Sequence, residues 1–164
     1  YPHMRAILMD FPAVCHLAEA TMRQEGFQER VRTVAGDYER DPLPEGFDVV
    51  LWSGNMHASS PASCLAILRK IRALLPAHGM LLIHDYLIEA QRPGPLIPAL
   101  LGLHLTLVSA TGQVYRDTEI RALLQQAGFS GVHIEPFLPH HSSLIRAYPV
   151  AAETPTGSEI HPTP

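Results

Sequence analysis

Apolar residues along this chain follow two rhythms. Short unbroken runs at Ala6–Asp10, Val31–Ala35, Asp48–Trp52 and Met80–Asp85 are bounded by turn residues, among them Gly36-Asp37 and the stretch DPLPEG before Phe47, and read as buried strands. Between them the apolar positions recur three and four residues apart. Phe11 to Gln24 forms one such helix, with Pro12 in its first turn, Val14, Leu17, Ala18 and Met22 on one face, and Gly26 ending it. Ser60 is placed to cap a second helix that starts at Pro61, points Cys64, Ile67, Leu68, Ile71, Leu74 and Leu75 to one side, and closes at Pro76 and Gly79. Phe47 to Tyr86 is therefore strand, loop, helix, turn, strand. Two strands joined by a helical crossover make a right-handed βαβ unit of a parallel sheet.

The second half continues the alternation less regularly. A Pro-Gly-rich break at Gln91–Pro95 precedes Leu96–Ala110, an apolar helix with few charges that is expected to be buried or to line a pocket. Asp117 is placed to cap a short helix with Ile120, Leu123 and Leu124 inward and Gly128 as its stop. Val132–Glu135 and Ser143–Ala147 read as a closing antiparallel pair. From Val150 the tail is polar and Pro-rich without periodicity, so residues 150–164 are expected to be disordered beside one domain at 1–149. The sum is a three-layer α/β fold with a mostly parallel sheet.

Composition narrows the possible partners. Lys plus Arg number 12 against 16 acids, a net charge of −4 without a basic cluster, which argues against nucleic acid. Two cysteines, Cys15 and Cys64, are too few for a disulfide framework and fall on apolar helix faces, as buried thiols of a reducing compartment do. No run reaches membrane-spanning length and no signal peptide is visible, so a cytoplasmic protein without membrane contact is expected.

Ligands of open parallel sheets sit beyond the carboxyl ends of the strands. That edge collects Asn55 and His57 after one strand and His84 and Asp85 after the next, with Asp10 and Asp37 after the two earlier ones. Asp10 can accept from the hydroxyls of a ribose, or serve as a first-turn acid ahead of Pro12. Asp37 can accept from an adenine amino group or make an Asx turn. His57 can act as a general base or be a polar loop residue, and Asp85 can orient such a base, bind a cation or do neither. The ten histidines show no i, i+4 pairing, so no metal is expected.

The order LMDFPAV, VAGDYERDPLPEGFDVVL, NMHASSPASCLAIL, LLPAHGMLLIHD and ALLQQAGF resembles the catalytic domain of S-adenosylmethionine-dependent O-methyltransferases. The likeness is to the plant-type and bacterial small-molecule group of caffeate, hydroxyindole and carotenoid enzymes. It covers Ala6 to Tyr148 and is most specific at His57 followed by Cys64 seven residues on, and at the strand–acid–Pro element of Asp10. The resemblance implies a Rossmann-like methyltransferase three-layer sandwich. It implies that Asp10 holds the ribose of S-adenosylmethionine, that Asp37 and Tyr38 lie against its adenine, and that Ser53 belongs to the same cofactor-binding set. His57 then takes the proton of a small-molecule acceptor, aromatic or polyketide-like, and Asp85 steadies the imidazole. A homodimer is implied for the full-length protein, in a role in small-molecule biosynthesis.

The chain departs from that pattern in three places. No GxGxG loop occurs, so the expectation is that the family's first strand, its Gly-rich loop and its helical dimerisation domain precede Tyr1 in a longer protein. The acid and Trp that follow the catalytic His in the family are Ala58 and Ser59 here, and a flanking Glu falls on Val114. A non-catalytic binding or assembly protein of the same fold, or transfer to carbon or nitrogen, are the alternatives that these departures leave.

Overall fold

The computed structural model describes residues 1–91 and 94–150. The chain runs β1 (Ala6–Asp10), α1 (Pro12–Gln24), β2 (Val31–Ala35), β3 (Val49–Ser53), a 3-10 turn (Met56–Ala58), α2 (Pro61–Leu74), β4 (Met80–Asp85), β5 (Leu87–Ile88), α3 (Leu96–Val108), β6 (Tyr115–Arg116), α4 (Asp117–Gln126), β7 (Phe129–Leu138) and β8 (Ser142–Pro149). The four early strands and their helices stand where the apolar rhythm puts them. The tail 151–164 lies outside the described residues, as does part of the Gln91–Pro95 break.

The strands do not form the single sheet expected. β1 pairs in parallel with β2, from Ala6 opposite Val31 to Asp10 opposite Ala35. β3 pairs in parallel with β4, which pairs antiparallel with β8, and β8 pairs antiparallel with β7, giving the order β3-β4-β8-β7. Among the described residues no ladder joins β1 to β3. A ladder needs strands about 4.8 Å apart, and β1 and β3 end separate sheets with no described strand between them. The closing antiparallel pair is as expected but longer. β7 runs from Phe129 to Leu138 because two register shifts, at Ser130/His133 and Pro136/Leu138, let the ladder pass Gly131-Val132 and Phe137.

The core belongs to the four-stranded sheet. α2 buries Cys64, Ile67, Leu68 and Ile71 against Leu81 and Ile83 of β4 and Ile145 and Ala147 of β8, and α4 adds Ile120 and Leu124 from the same cluster. Each large aliphatic side chain so buried contributes about 1.5–3 kcal/mol. Ser60 caps α2 as expected, its Oγ accepting from the Ser63 amide at 3.1 Å. α1, by contrast, buries Cys15 alone. Both cysteines are free and buried.

Two local expectations are corrected. α3 is neither buried nor enclosed: Leu96, Leu100, Leu103 and Leu107 are each more than half exposed, and Pro98 and Leu105 are its buried residues. A helix that is apolar on every side buries a face only where something packs on it, and the described residues cover one side. The N-cap of α4 is Arg116 and not Asp117. Glu119 Oε2 accepts from the Arg116 amide at 2.7 Å, while Asp117 Oδ1 takes the Thr118 amide at 2.9 Å and the Ala90 amide at 3.1 Å.

Candidate active site

The βαβ crossover sets two strand tips side by side. Ser53 at the end of β3 lies opposite His84 near the end of β4, so the loop after β3 and the carboxylate ending β4 meet at the carboxyl edge of the sheet. His57, in the 3-10 turn after β3, is held there by Asp85. Its Nδ1 lies 2.7 Å from Asp85 Oδ1, and its backbone amide donates to Oδ2 at 3.2 Å. The Tyr86 amide donates to Oδ1 at 2.7 Å. Asp85 is 2% exposed, and these three N–H groups satisfy a carboxylate that burial would otherwise leave at high cost. A carboxylate only accepts, so the proton of the imidazole sits on Nδ1 and Nε2 is the basic nitrogen. The Tyr86 ring stands edge-on to the imidazole at 5.5 Å, and the His57 side chain is 17% exposed.

Of the remaining candidates, Asp10 and Asp37 follow the strands of the β1-β2 ladder, and Ser53 ends β3. Asp10 ends β1, its Oδ1 accepting from the Phe11 amide at 2.8 Å, and its backbone carbonyl accepts from the Gly36 amide at 2.9 Å. That bond brings the tips of β1 and β2 together. Asp37 Oδ1 accepts from the Glu39 amide at 2.9 Å in an Asx turn, and the Asp37 amide donates to Asp41 Oδ2 at 2.8 Å. The Asx turn and the first-turn role of Asp10 are therefore both present, and the second oxygen of Asp37 faces Arg40 Nε at 3.6 Å. Tyr38 packs edge-on to Trp52 at 6.3 Å. Burial raises its phenol above the ordinary value, with Ser59 opposing and Glu39, Asp37 and Asp10 adding to the rise. Ser53 Oγ faces His84 Nδ1 at 2.9 Å, and His84 Nε2 faces Ser142 Oγ at 2.9 Å, so His84 ties β3 and β8 across β4.

Several residues that serve this edge carry no signal in the sequence. Ser59, 2% exposed, donates to Glu39 Oε1 at 2.6 Å and so links the loop of His57 to the turn of Tyr38. Lys70 of α2 donates to the carbonyls of Tyr38, Glu39 and Asp41 at 3.2, 2.8 and 3.0 Å. Tyr115, fully enclosed, donates to the Ser59 carbonyl at 2.6 Å and lies 3.4 Å from Cys64 Sγ. Desolvation pushes the Cys64 thiol up to about 11 and the Tyr115 phenol higher still, so neither group supplies a nucleophile near neutral pH. Partners so distant in sequence are invisible to spacing arguments. Among the described residues no three His, Cys, Asp or Glu side chains form a metal-holding cluster, and no helix is long and apolar enough to cross a membrane. A hollow of about 280 Å³ between α1 and β2 is lined by Glu19, Arg23 and Thr33 among others, and includes none of the candidate residues.

Residues 1–130 match the model of the O-methyltransferase domain, and the chain belongs to that family. It is 34% identical over 137 residues to 3-hydroxy-5-methyl-1-naphthoate 3-O-methyltransferase of Streptomyces sahachiroi, covering 84% of this chain and 39% of that protein. Its fold is similar to an O-methyltransferase family 2 protein of Planctomyces limnophilus solved in complex with apigenin, with a TM-score of 0.83 and 33% identity, over 92% of this chain and 44% of the other. It is likewise similar to human N-acetylserotonin methyltransferase solved in complex with SAM, with a TM-score of 0.78 and 27% identity, over 92% and 42%. The chain thus spans about two fifths of the length of the relatives it matches.

Proposed function

We propose that the protein transfers a methyl group from S-adenosylmethionine to a hydroxyl of a small aromatic or polyketide-like acceptor, with His57 as general base. The observation that carries this reading is the 2.7 Å pair of His57 Nδ1 and Asp85 Oδ1 at the carboxyl edge of β3 and β4. Family membership and relatives that act on a naphthoate or bind apigenin support it.

The residues present suit the adenosine half of the cofactor, while the chain has no GxGxG loop. Asp10 and Asp37 offer acceptors suited to ribose hydroxyls and an adenine amino group, and Tyr38 with Trp52 offers an aromatic wall. Trp52 Nε1, near the end of β3, is a buried donor without a hydrogen-bond partner among the described residues. Ser53 completes the set from the resemblance, its hydroxyl shared with His84. When bound, S-adenosylmethionine supplies the electrophilic methyl group. The chain's own share is binding, orientation and one proton. Asp85 fixes the Nδ1–H tautomer, so Nε2 accepts the proton of the acceptor hydroxyl and makes its oxygen the better nucleophile. A base so placed contributes about 10²–10⁴-fold. A homodimer of the full-length protein and a cytoplasmic setting, which suits two free thiols, complete the proposal.

The test is transfer of labelled methyl from S-adenosylmethionine to a panel of phenols by the full-length protein and by His57→Gln. Methyl ethers formed by the first and lost in the second are expected. Equal rates for both remove His57 from the reaction. Label recovered on a ring carbon replaces O-transfer by C-transfer.

A further inference from the structure

The loop that carries His57 is gripped from outside by one segment. Three successive carbonyls of that loop accept hydrogen bonds from residues 111–115, which lie between α3 and α4. The Gln113 amide donates to the His57 carbonyl at 2.8 Å, Thr111 Oγ1 to the Ala58 carbonyl at 3.4 Å, and Tyr115 Oη to the Ser59 carbonyl at 2.6 Å. Beside Tyr115, Cys64 Sγ reaches the Met56 carbonyl at 3.6 Å and the Ser59 carbonyl at 3.8 Å. His57 itself is thus held at its amide and ring by Asp85 and at its carbonyl by Gln113.

Space at this contact is tight. A Cβ added to Gly112 stands 3.2 Å from the His57 carbonyl oxygen, 2.9 Å from Ser109 Oγ and 3.2 Å from Leu105 Cδ2. The close approach needs a residue without a side chain, and the atoms crowded there connect the buried Leu105 of α3 to the backbone of the base. The Gly112 amide donates to Ser109 Oγ at 2.8 Å, which folds the segment back onto the end of α3.

We propose that residues 111–115 form a positioning brace for His57, with the Tyr115 hydroxyl and the bare backbone of Gly112 as its determinants. The brace acts through the backbone carbonyls of residues 57–59 and sets the height and direction of the imidazole over Asp85. The inference rests on the reading of His57 as the base. Its effect therefore falls on the chemical step and not on cofactor affinity, because a displaced base costs on the order of 10²-fold per ångström while the adenosine contacts lie elsewhere.

The experiment follows the Nδ1 proton of His57 in ¹⁵N-histidine-labelled full-length protein, assigned by its loss in His57→Gln. A proton shared across 2.7 Å with a buried carboxylate gives a downfield, slowly exchanging resonance. Tyr115→Phe keeps the ring and removes the hydroxyl. The resonance is expected to move upfield and to exchange about tenfold faster, with kcat down about ten- to a hundredfold and KM for S-adenosylmethionine within about twofold. A lower melting temperature with the resonance and kcat both unchanged overturns the brace, since that is what loss of a merely structural hydrogen bond produces. Should Tyr115→Phe fail to fold, Gly112→Ala decides, because its new methyl group presses on the His57 carbonyl and leaves Tyr115 in place. An unshifted resonance in that variant also overturns the proposal. If His57→Gln transfers methyl at the native rate, the base reading falls alone, and the resonance arm still decides the brace.

Discussion

Two parts of this chain are written in the same strand–helix–strand grammar and end up physically different. In β1–α1–β2, the helix buries Cys15, while Val14 and Leu17 of its apolar face remain exposed. In β3–α2–β4, the helix buries four side chains, and β8, β7 and α4 close the cluster around them. The candidate site straddles the two. Asp10 and Asp37 stand on the lightly packed part, Tyr38 packs across to Trp52 of the main core, and His57 with Asp85 stand on the densely packed one. On the proposed reading, the cofactor side and the base side therefore stand on regions of unequal packing.

The sharpest way to break this division is functional. His57→Gln is expected to lower kcat about 10²–10⁴-fold with cofactor affinity nearly unchanged. Asp10→Ala is expected to weaken S-adenosylmethionine by about tenfold or more, as loss of a hydrogen bond to a charged group does, and to change kcat far less. Calorimetric titration and saturation kinetics on the full-length protein check both. Equal effects of the two variants on both quantities dissolve the division.

Packing comes next. Leu68→Ala opens a cavity among fully enclosed neighbours and is expected to cost about 2–5 kcal/mol. Leu17→Ala, at a position 67% exposed, is expected to stay within about 0.5 kcal/mol. Denaturant titration of both variants measures the difference directly. The two thiols give a finer reading, since each is buried in one part. Under native conditions Cys15 is expected to react with a thiol reagent at least about tenfold faster than Cys64, through local opening that leaves the main core intact. Equal rates mean that the parts open together.

The smallest effect is on pH. Burial raises Cys64 from 9.0 to about 11, so the unfolded chain gives up this proton first as pH rises. That contribution to stability is complete below pH 9 and is lost between 9 and 11. Melting curves of the wild type and Cys64→Ala across that window isolate it, with the variant showing the shallower decline.

What the sequence discloses follows from how local each feature is. The Ser60 cap, the Gly stops and the apolar faces of α2 and α4 depend on neighbours within a few residues and are legible. The His57–Asp85 pair is 28 residues apart, yet the crossover rule puts the tips of β3 and β4 side by side, so its two members can be nominated from spacing. Tyr115 and Ser59 are 56 residues apart with no such rule between them. The two-residue strands β5 and β6 carry too short a pattern to register, and Asp117 looked like the cap because the reach of Glu119 to the Arg116 amide is a side-chain choice. Uniform apolarity in α3 could mean burial or a face awaiting cover, and periodicity does not separate the two.

Lys70 gives the junction between the two parts a chemical character of its own. Its ammonium gathers three carbonyls of the turn at Tyr38–Asp41 onto a helix of the main core, as a bound ion gathers ligands. Such a fastening has no surface area to speak of and depends on one charge. Acylation of Nζ replaces three donors with a neutral amide at a stroke, and α2 keeps every apolar contact it had. The turn that carries Tyr38 then keeps the bond from Ser59 to Glu39 as a polar tie to the loop of His57, so a single covalent mark on one amine is expected to loosen that turn first.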